Sequence, residues 1–278
     1  MCAGAIIDEA KPHNYADSGC PRLPNIPMQR LSVTIITKNE ARHIVDCIRS
    51  ARFADEVVVV DCGSTDGTVA LAEAEGARVV VTDWPGDGAQ KNRAIDLATG
   101  DWFFSLDADE RIPEALAREV RAAIERENMD AFQVPRLSSY CGQFMHHGGW
   151  RPDYNWRLAR RGKARWTETQ VHSVMKVHGR SGRLRESIIH YSFPDMESVL
   201  EKVNRYSSWG AADQHAAGRR ASLRKAVGHG IWAFIRTYFL RRGFLDGRMG
   251  FILAVSNAEG TYYRYLKLMY LNESSTPR

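Results

Sequence analysis

Between Leu31 and Glu125, short β-branched or aromatic runs alternate with helix-length amphipathic stretches, and few folds accept that rhythm. Leu31–Ile36, Glu56–Val60, Ala77–Val81 and Trp102–Leu106 read as buried strands. The stretches between them put Ile44, Ile48 and Ala51 on one helical face and cover 68–75 and 89–98; a further helix spans 113–125, with Pro113 near its first turn. Strands joined by helices in this way form βαβ units, so the expected fold class is α/β, a doubly wound, mostly parallel sheet covered on both faces. Ala131–Pro135 reads as one more strand. Beyond it the rhythm gives way to a loop-rich region with many Arg, Trp, His and Gly, and from Ser198 onward the pattern is mainly helical.

The 278 residues are 44% hydrophobic and 26% charged, enough for one large domain with an appendage. Cys2, Cys20, Cys47, Cys62 and Cys141 form no C-x-x-C pair, which argues against a zinc site or a disulfide framework and fits a reducing cytoplasm. No basic segment followed by an apolar run opens the chain, so no signal peptide is expected. Residues 1–30, with Pro21, Pro24 and Pro27 and little periodicity, read as a poorly ordered leader.

In open α/β sheets ligands bind beyond the carboxyl ends of the strands. The loops expected there carry Thr37, Asn39 and Glu40, then Asp61, Ser64 and Asp66, then Asp107, Asp109 and Glu110. In Asp101-Trp-Phe-Phe-Ser-Leu-Asp107-Ala-Asp109-Glu110-Arg111 an apolar run delivers two carboxylates spaced i, i+2, which suits a hard divalent cation bridging phosphate oxygens. An acidic turn with a helix cap is the plainer alternative. A row of hydroxyls and acids suits a ribose, a base and a metal-bound diphosphate, and Gly63 and Gly67 permit close backbone approach. Asp61–Gly67 also has the residues of a turn and helix cap. No G-x-G-x-x-G follows the first strand and no G-x-x-x-x-G-K-[ST] occurs, which argues against dinucleotide and P-loop sites.

Thr37-Lys-Asn-Glu40, Val60-Asp61-Cys-Gly-Ser-Thr-Asp-Gly67, Gly88-Ala-Gln-Lys-Asn92 and Leu106-Asp-Ala-Asp-Glu110 resemble, in order, the motifs of family 2 glycosyltransferases. These are inverting enzymes of the GT-A fold that use nucleotide-sugar donors. Phe144-Met-His-His-Gly-Gly-Trp-Arg-Pro-Asp153, Gln170-Val-His172 and Gly243-Phe-Leu-Asp-Gly-Arg-Met-Gly250 resemble the lipopolysaccharide core β-glucosyltransferase branch, so the likeness covers about residues 31–270. It implies that Thr37, Glu40, Asp61 and Lys91 line the uracil and ribose of a UDP-sugar, that Asp107 binds the ribose or metal region, and that Asp109 binds Mg²⁺ or Mn²⁺. It further implies a hexose transfer, glucose from UDP-glucose, to a lipid-linked lipopolysaccharide inner-core sugar. Lys91 has the alternative of a solvated helix residue. The resulting division is a leader over 1–30, a GT-A-like nucleotide-sugar and acceptor domain over 31–195, and a helical, basic-aromatic extension over 196–278.

An inverting transfer needs a base for the acceptor hydroxyl. Relatives commonly show Val-His-Glu where this chain has Val171-His172-Ser173, and a serine cannot replace that glutamate at neutral pH. Glu168 and Asp153 remain as candidate bases. Glu168 has the alternative of an exposed loop acid, and Asp153 that of pairing with Arg151 or Arg157. His172 has three readings: it orients substrate, binds metal or diphosphate, or sits in the core.

Arg219, Arg220, Arg224, Lys225, Arg236, Arg241, Arg242 and Arg248 are interleaved with Ile231, Trp232, Phe234, Ile235, Tyr238, Phe239, Leu240, Phe244 and Leu245. The apolar run is too short to span a bilayer. It suits an interfacial helix on an anionic leaflet, with a packed helix bearing a solvated basic face as the alternative. Tyr262–Tyr270 extends the pattern. No nucleic-acid module is recognisable, so no nucleic-acid partner is expected. The expected protein is peripheral on the cytoplasmic face of the cell membrane. Its rivals are a nucleotidyltransferase and a non-catalytic nucleotide-sugar-binding homologue.

Overall fold

The computed structural model describes residues 28–168 and 173–274, so the expected leader falls outside the described residues through residue 27. The elements are β1 (Leu31–Thr37), α1 (Ile44–Ser50), β2 (Glu56–Asp61), α2 (Thr68–Ala74), β3 (Arg78–Val81), α3 (Asp87–Leu97), β4 (Trp102–Asp107), β5 (Glu110–Arg111) and α4 (Glu114–Ile124). There follow β6 (Ala131–Tyr140), β7 (Gln143–Phe144), β8 (Asp153–Arg160), β9 (Ala164–Trp166), β10 (Met175–Val177), β11 (Ser181–Arg183) and β12 (Ile188–Phe193). The chain then turns helical with α5 (Met196–Ala216), α6 (Leu223–Ile235) and α7 (Gly247–Ser274).

The main sheet runs β3-β2-β1-β4-β8-β6-β12-β5, with β8 and β5 antiparallel to their neighbours. The α/β expectation is met. Alternation along the strands sorts the two faces. Leu31, Val33, Ile35, Val59, Trp102, Phe104 and Leu106 pack against Ile44 and Ile48 of α1 and Leu116, Val120 and Ile124 of α4. On the other face Phe103 packs with Ile95 of α3, and Val58 and Val60 with Ala94. Trp102, Phe103 and Phe104 have no exposed surface, and burial of side chains this size stabilises by roughly 1.5–3 kcal/mol each.

The region expected to be loop-rich is instead strand-rich. β6 continues to Tyr140 through Pro135 and a polar Ser138-Ser139 pair, with a register irregularity between Phe132 and Gln133. β8 carries Arg157 only 4% exposed. Polar residues that face into a site and a charge turned inward remove the alternation that marks a strand.

The C-terminal helices form their own layer, with α5 and α6 packed along α7. It is tied to the sheet by Tyr140, Met145, Val199 and Leu253, and by a 2.8 Å hydrogen bond between Tyr140 Oη and Ser256 Oγ. Buried Asp246 accepts from the backbone N–H of His147 at 2.8 Å and contacts its Nδ1 at 2.8 Å. Gly250 sits so close to Gly243 that an added Cβ would lie 1.8 Å from the Gly243 carbonyl oxygen. The segments Phe144–Asp153 and Gly243–Gly250 thus join the extension to the sheet.

Candidate active site

Register places the polar ends of three parallel strands side by side. Thr37 pairs with Asp61 across β1 and β2, and Ile36 pairs with Asp107 across β1 and β4. The loops beyond are stitched together: Asn39 Oδ1 accepts from Thr65 N–H at 2.8 Å, and Ala41 N–H donates to Asp66 at 3.1 Å. Asp61, fully buried, accepts from the N–H groups of Gly63 and Ser64 at 2.8 Å each. Burial, then the charges of Asp109 and Asp66, push the half-buried Glu40 carboxyl above its ordinary range.

Asp107 and Glu110, grouped together in the sequence, separate in role. Glu110 is fully buried and accepts from Arg157 at 2.6 Å and from the Asp107 N–H at 3.0 Å. It is a structural acid, and burial raises it despite the pull of Arg157. Asp107 stays partly exposed, with Arg157 at 3.0 Å and Lys91 at 3.7 Å. Burial pushes Asp107 up, but the positive charges of Arg157 and Lys91 outweigh it and hold the carboxyl well below the usual range. Lys91 also reaches Asp87 at 3.2 Å and lies 4.6 Å from the centre of the Trp166 ring. It is a component of a cavity of about 350 Å³ lined by Lys91, Asp107, Arg157, Trp166 and Ser173, rather than a solvated helix residue. Among the described residues, three buried polar atoms around this edge have no hydrogen-bond partner: Thr37 Oγ1, Arg157 Nε and Trp166 Nε1. Such atoms are scarce in folded proteins and suit a polar ligand.

Asp109 faces another way. Its Oδ2 lies 3.2 Å from Nε2 of His190, whose Nδ1 is 2.9 Å from Ser138 Oγ. Ser138 can donate or accept, so His190 can present either an N–H or a lone pair to Asp109. A lone pair beside a carboxylate calls for a cation between them, and an imidazole fixed through its other nitrogen is how metal-binding histidines are held. The pair therefore fits a divalent cation, although among the described residues no three His, Cys, Asp or Glu side chains gather as a ready cage.

His190 lines a second cavity of about 490 Å³ with Arg136, Asp153, Trp150 and Lys202; Arg136 lines both cavities. Asp153 pairs with neither Arg151 nor Arg157. Arg136 holds it, at 2.9 and 2.8 Å, because β6 and β8 set Arg136 opposite Asp153, while Arg157 is committed to Asp107 and Glu110. Glu168 is exposed, and His172 lies outside the described residues. Ser173 donates to Asp87. Gly88, next to Asp87, has no room for a side chain, since a Cβ would lie 1.8 Å from the Thr167 carbonyl oxygen.

Sequence reading missed Asp87, His190 and Lys202. Asp87 precedes the Gly88–Asn92 motif by one residue. His190 and Lys202 are distant in sequence from the acids they approach, and no local pattern singles them out.

Comparison with known proteins gives a consistent picture. The model of glycosyl transferase family 2 matches residues 32–192. An uncharacterized glycosyltransferase of Rickettsia felis is 34% identical over 89% of this chain and 91% of its own length. The lipopolysaccharide core biosynthesis glycosyltransferase LpsC of Rhizobium meliloti is 33% identical over 84% of this chain and 89% of its own. Among solved structures, glucosyl-3-phosphoglycerate synthase of Mycobacterium tuberculosis, in complex with Mn²⁺, UDP and glucosyl-3-phosphoglycerate, overlaps 41% of this chain and 45% of that chain, at 29% identity and a TM-score of 0.34. Since the family model spans more than half of the sequence and these relatives match along most of their length, the chain is a glycosyltransferase and belongs to glycosyl transferase family 2.

Proposed function

We propose that this enzyme moves a hexose, glucose from UDP-glucose, with inversion onto a lipid-linked lipopolysaccharide inner-core sugar. The observation that carries the donor reading is the pairing of Asp109 with His190 beside the Asp107, Lys91 and Arg157 group. Thr37, Glu40, Asp61 and Lys91 line the uridine, and Asp107 meets the ribose. Asp109 and His190 would hold Mg²⁺ or Mn²⁺, which would supply positive charge beside the diphosphate. The name of the LpsC relative supports the acceptor class.

The chemistry asks a base to take the acceptor proton. Asp153 is the carboxylate of the two sequence candidates that lines the second cavity, and we assign it that role, whereas Glu168 is exposed. The acceptor O–H proton goes to Asp153, and the oxygen bonds the anomeric carbon from the face opposite the diphosphate. As that bond forms, the bond from the anomeric carbon to the diphosphate oxygen breaks, and its electron pair leaves with UDP. Lys91 and Arg157 add positive charge beside that leaving group.

The extension supports work at a membrane. Leu223, Val227, Ile231 and Ile235 recur every four residues along α6 and are exposed, and exposed Phe239, Leu240, Phe244 and Leu245 continue the surface. Arg219, Arg220, Arg224, Lys225, Arg236, Arg241, Arg242 and Arg248 are exposed around it. Basic residues flanking an apolar face suit the anionic cytoplasmic leaflet. No helix of the described residues is long and apolar enough to cross a membrane.

The test is calorimetric titration of UDP, with CDP and ADP as controls, in Mn²⁺ and again in EDTA. Metal-dependent, UDP-selective binding that Asp109→Asn abolishes is the expected result. Absence of UDP binding in both conditions would remove the UDP-hexose assignment.

A further inference from the structure

The second cavity carries a positive charge that its own carboxylates leave unmatched. Arg136 is answered by Asp153 at 2.9 and 2.8 Å. Lys202, contributed by α5, instead donates to the Ser192 carbonyl at 2.8 Å and lies 4.1 Å from the centre of the Phe193 ring. Among the described residues no carboxylate forms an ion pair with it, and the acids that act on it, Asp109 and Glu40, do so from beyond that range. Burial pulls the Lys202 ammonium below its usual range. A half-buried ammonium without a counter-ion is costly, and such groups collect at functional sites.

The cavity is also shaped for a ring. Trp150 and Phe193 stand with centroids 5.9 Å apart and, with Tyr206, give it aromatic walls. Its volume of about 490 Å³ is ample for a small ligand. It shares only Arg136 with the cavity that contains Lys91 and Asp107, yet His190, the partner of Asp109, lines it. It therefore opens on the reacting end of the donor without being the nucleotide's own site.

We infer that this cavity is the acceptor subsite and that it selects an acidic sugar, whose carboxylate or phosphate pairs with Lys202 while its ring lies against Trp150 and Tyr206. The inference rests on the transferase reading above and adds the chemistry of the acceptor. A neutral sugar would leave Lys202 unpaired, and a site built around a polar contact discriminates strongly against a ligand lacking it.

The experiment titrates methyl glucuronoside, glucose 6-phosphate and methyl glucoside into the full chain, with and without UDP and Mn²⁺, and inorganic phosphate as a further probe. An acidic sugar should bind about tenfold or more tighter than the neutral one, the scale of one charge-assisted hydrogen bond. A stronger glucuronoside marks a carboxylate acceptor, and a stronger sugar phosphate marks a phosphorylated one. Lys202→Gln should erase the preference and leave UDP affinity unchanged, whereas Trp150→Ala should weaken all three sugars together. Equal affinities in the wild type, no sugar binding at all, or a preference that survives Lys202→Gln would overturn the inference. So would inorganic phosphate binding as tightly as the sugar phosphate, or loss of UDP binding in Lys202→Gln, which would place this lysine at the donor. Failure of the wild type to bind UDP counts against the UDP-hexose donor reading instead, because the sugar titrations also run without nucleotide.

Discussion

The cavities proposed for the donor and the acceptor are assembled in opposite ways. The one proposed for the donor lies beside the ends of parallel strands, where register aligns Thr37, Asp61 and Asp107, and is walled by Lys91, Arg157 and Trp166. The one proposed for the acceptor is gathered from β6, β8, β12, the loop at Trp150 and helix α5, and is held by contacts as distant as Tyr140 with Ser256, 116 residues apart. A parallel sheet edge makes a site from its topology. The second site exists only because an appended helical layer docks and brings Lys202 with it. Donor chemistry should therefore tolerate damage to the extension better than acceptor chemistry does.

The largest expected effect separates the two sides at the reacting centre. Asp109→Asn should lower turnover by about a hundred- to a thousandfold, the scale of removing one electrostatic stabiliser. Steady-state rates would measure it, and sugar binding to the second cavity should persist. Next, Asp246→Ala removes the buried carboxylate that joins His146 and His147 to the extension. A loss of about 3 kcal/mol of stability is expected from its charge-assisted hydrogen bonds. Denaturant titration would show it, and UDP binding in mild conditions should outlast acceptor binding. If both fail together, the two halves are not separable.

A smaller effect concerns the surface of α6. Ile231→Asp, at an exposed apolar position, should reduce sedimentation with anionic vesicles by about tenfold, consistent with loss of buried apolar contact and added like charge. An unchanged partition would detach the extension from membrane work and leave it only an acceptor-building role. The smallest is a pH effect on the donor side. Because the folded-state Glu40 carboxyl is raised by burial and by Asp109 and Asp66, its protonated form favours folding, and that contribution is lost as pH rises through the folded value. Glu40→Gln should thus raise the melting temperature slightly at pH 7 and leave it unchanged at pH 4.

The contrast also explains what the sequence disclosed. Leu31–Thr37 and Trp102–Asp107 announce themselves because both faces of these strands are covered, which leaves a continuous apolar run. The polar residues at their ends, Thr37 and Asp107, are legible for the same reason. β8 was not, since Arg157 turns inward from it to hold Asp107 and Glu110. Glu110, carried by the same loop as Asp107 and Asp109, is sealed in the fold by that arginine. His190 sits in a short strand between Ile189 and Tyr191, and its meaning appears only when β12 brings it to Asp109. Lys202 is an ordinary basic residue of α5, like Arg205, until its lack of a carboxylate partner among the described residues is seen.

The most direct test of the whole account is transfer of label from radiolabelled UDP-glucose to membranes carrying a truncated lipopolysaccharide core, with the new linkage read by NMR. Mn²⁺-dependent appearance of a β-linked glucose on the lipid-linked core, lost in Asp109→Asn, is the expected result. Tight, metal-dependent UDP-glucose binding with no transfer to any lipid-linked acceptor would contradict it and leave a sugar-nucleotide-binding protein in place of a transferase of that acceptor.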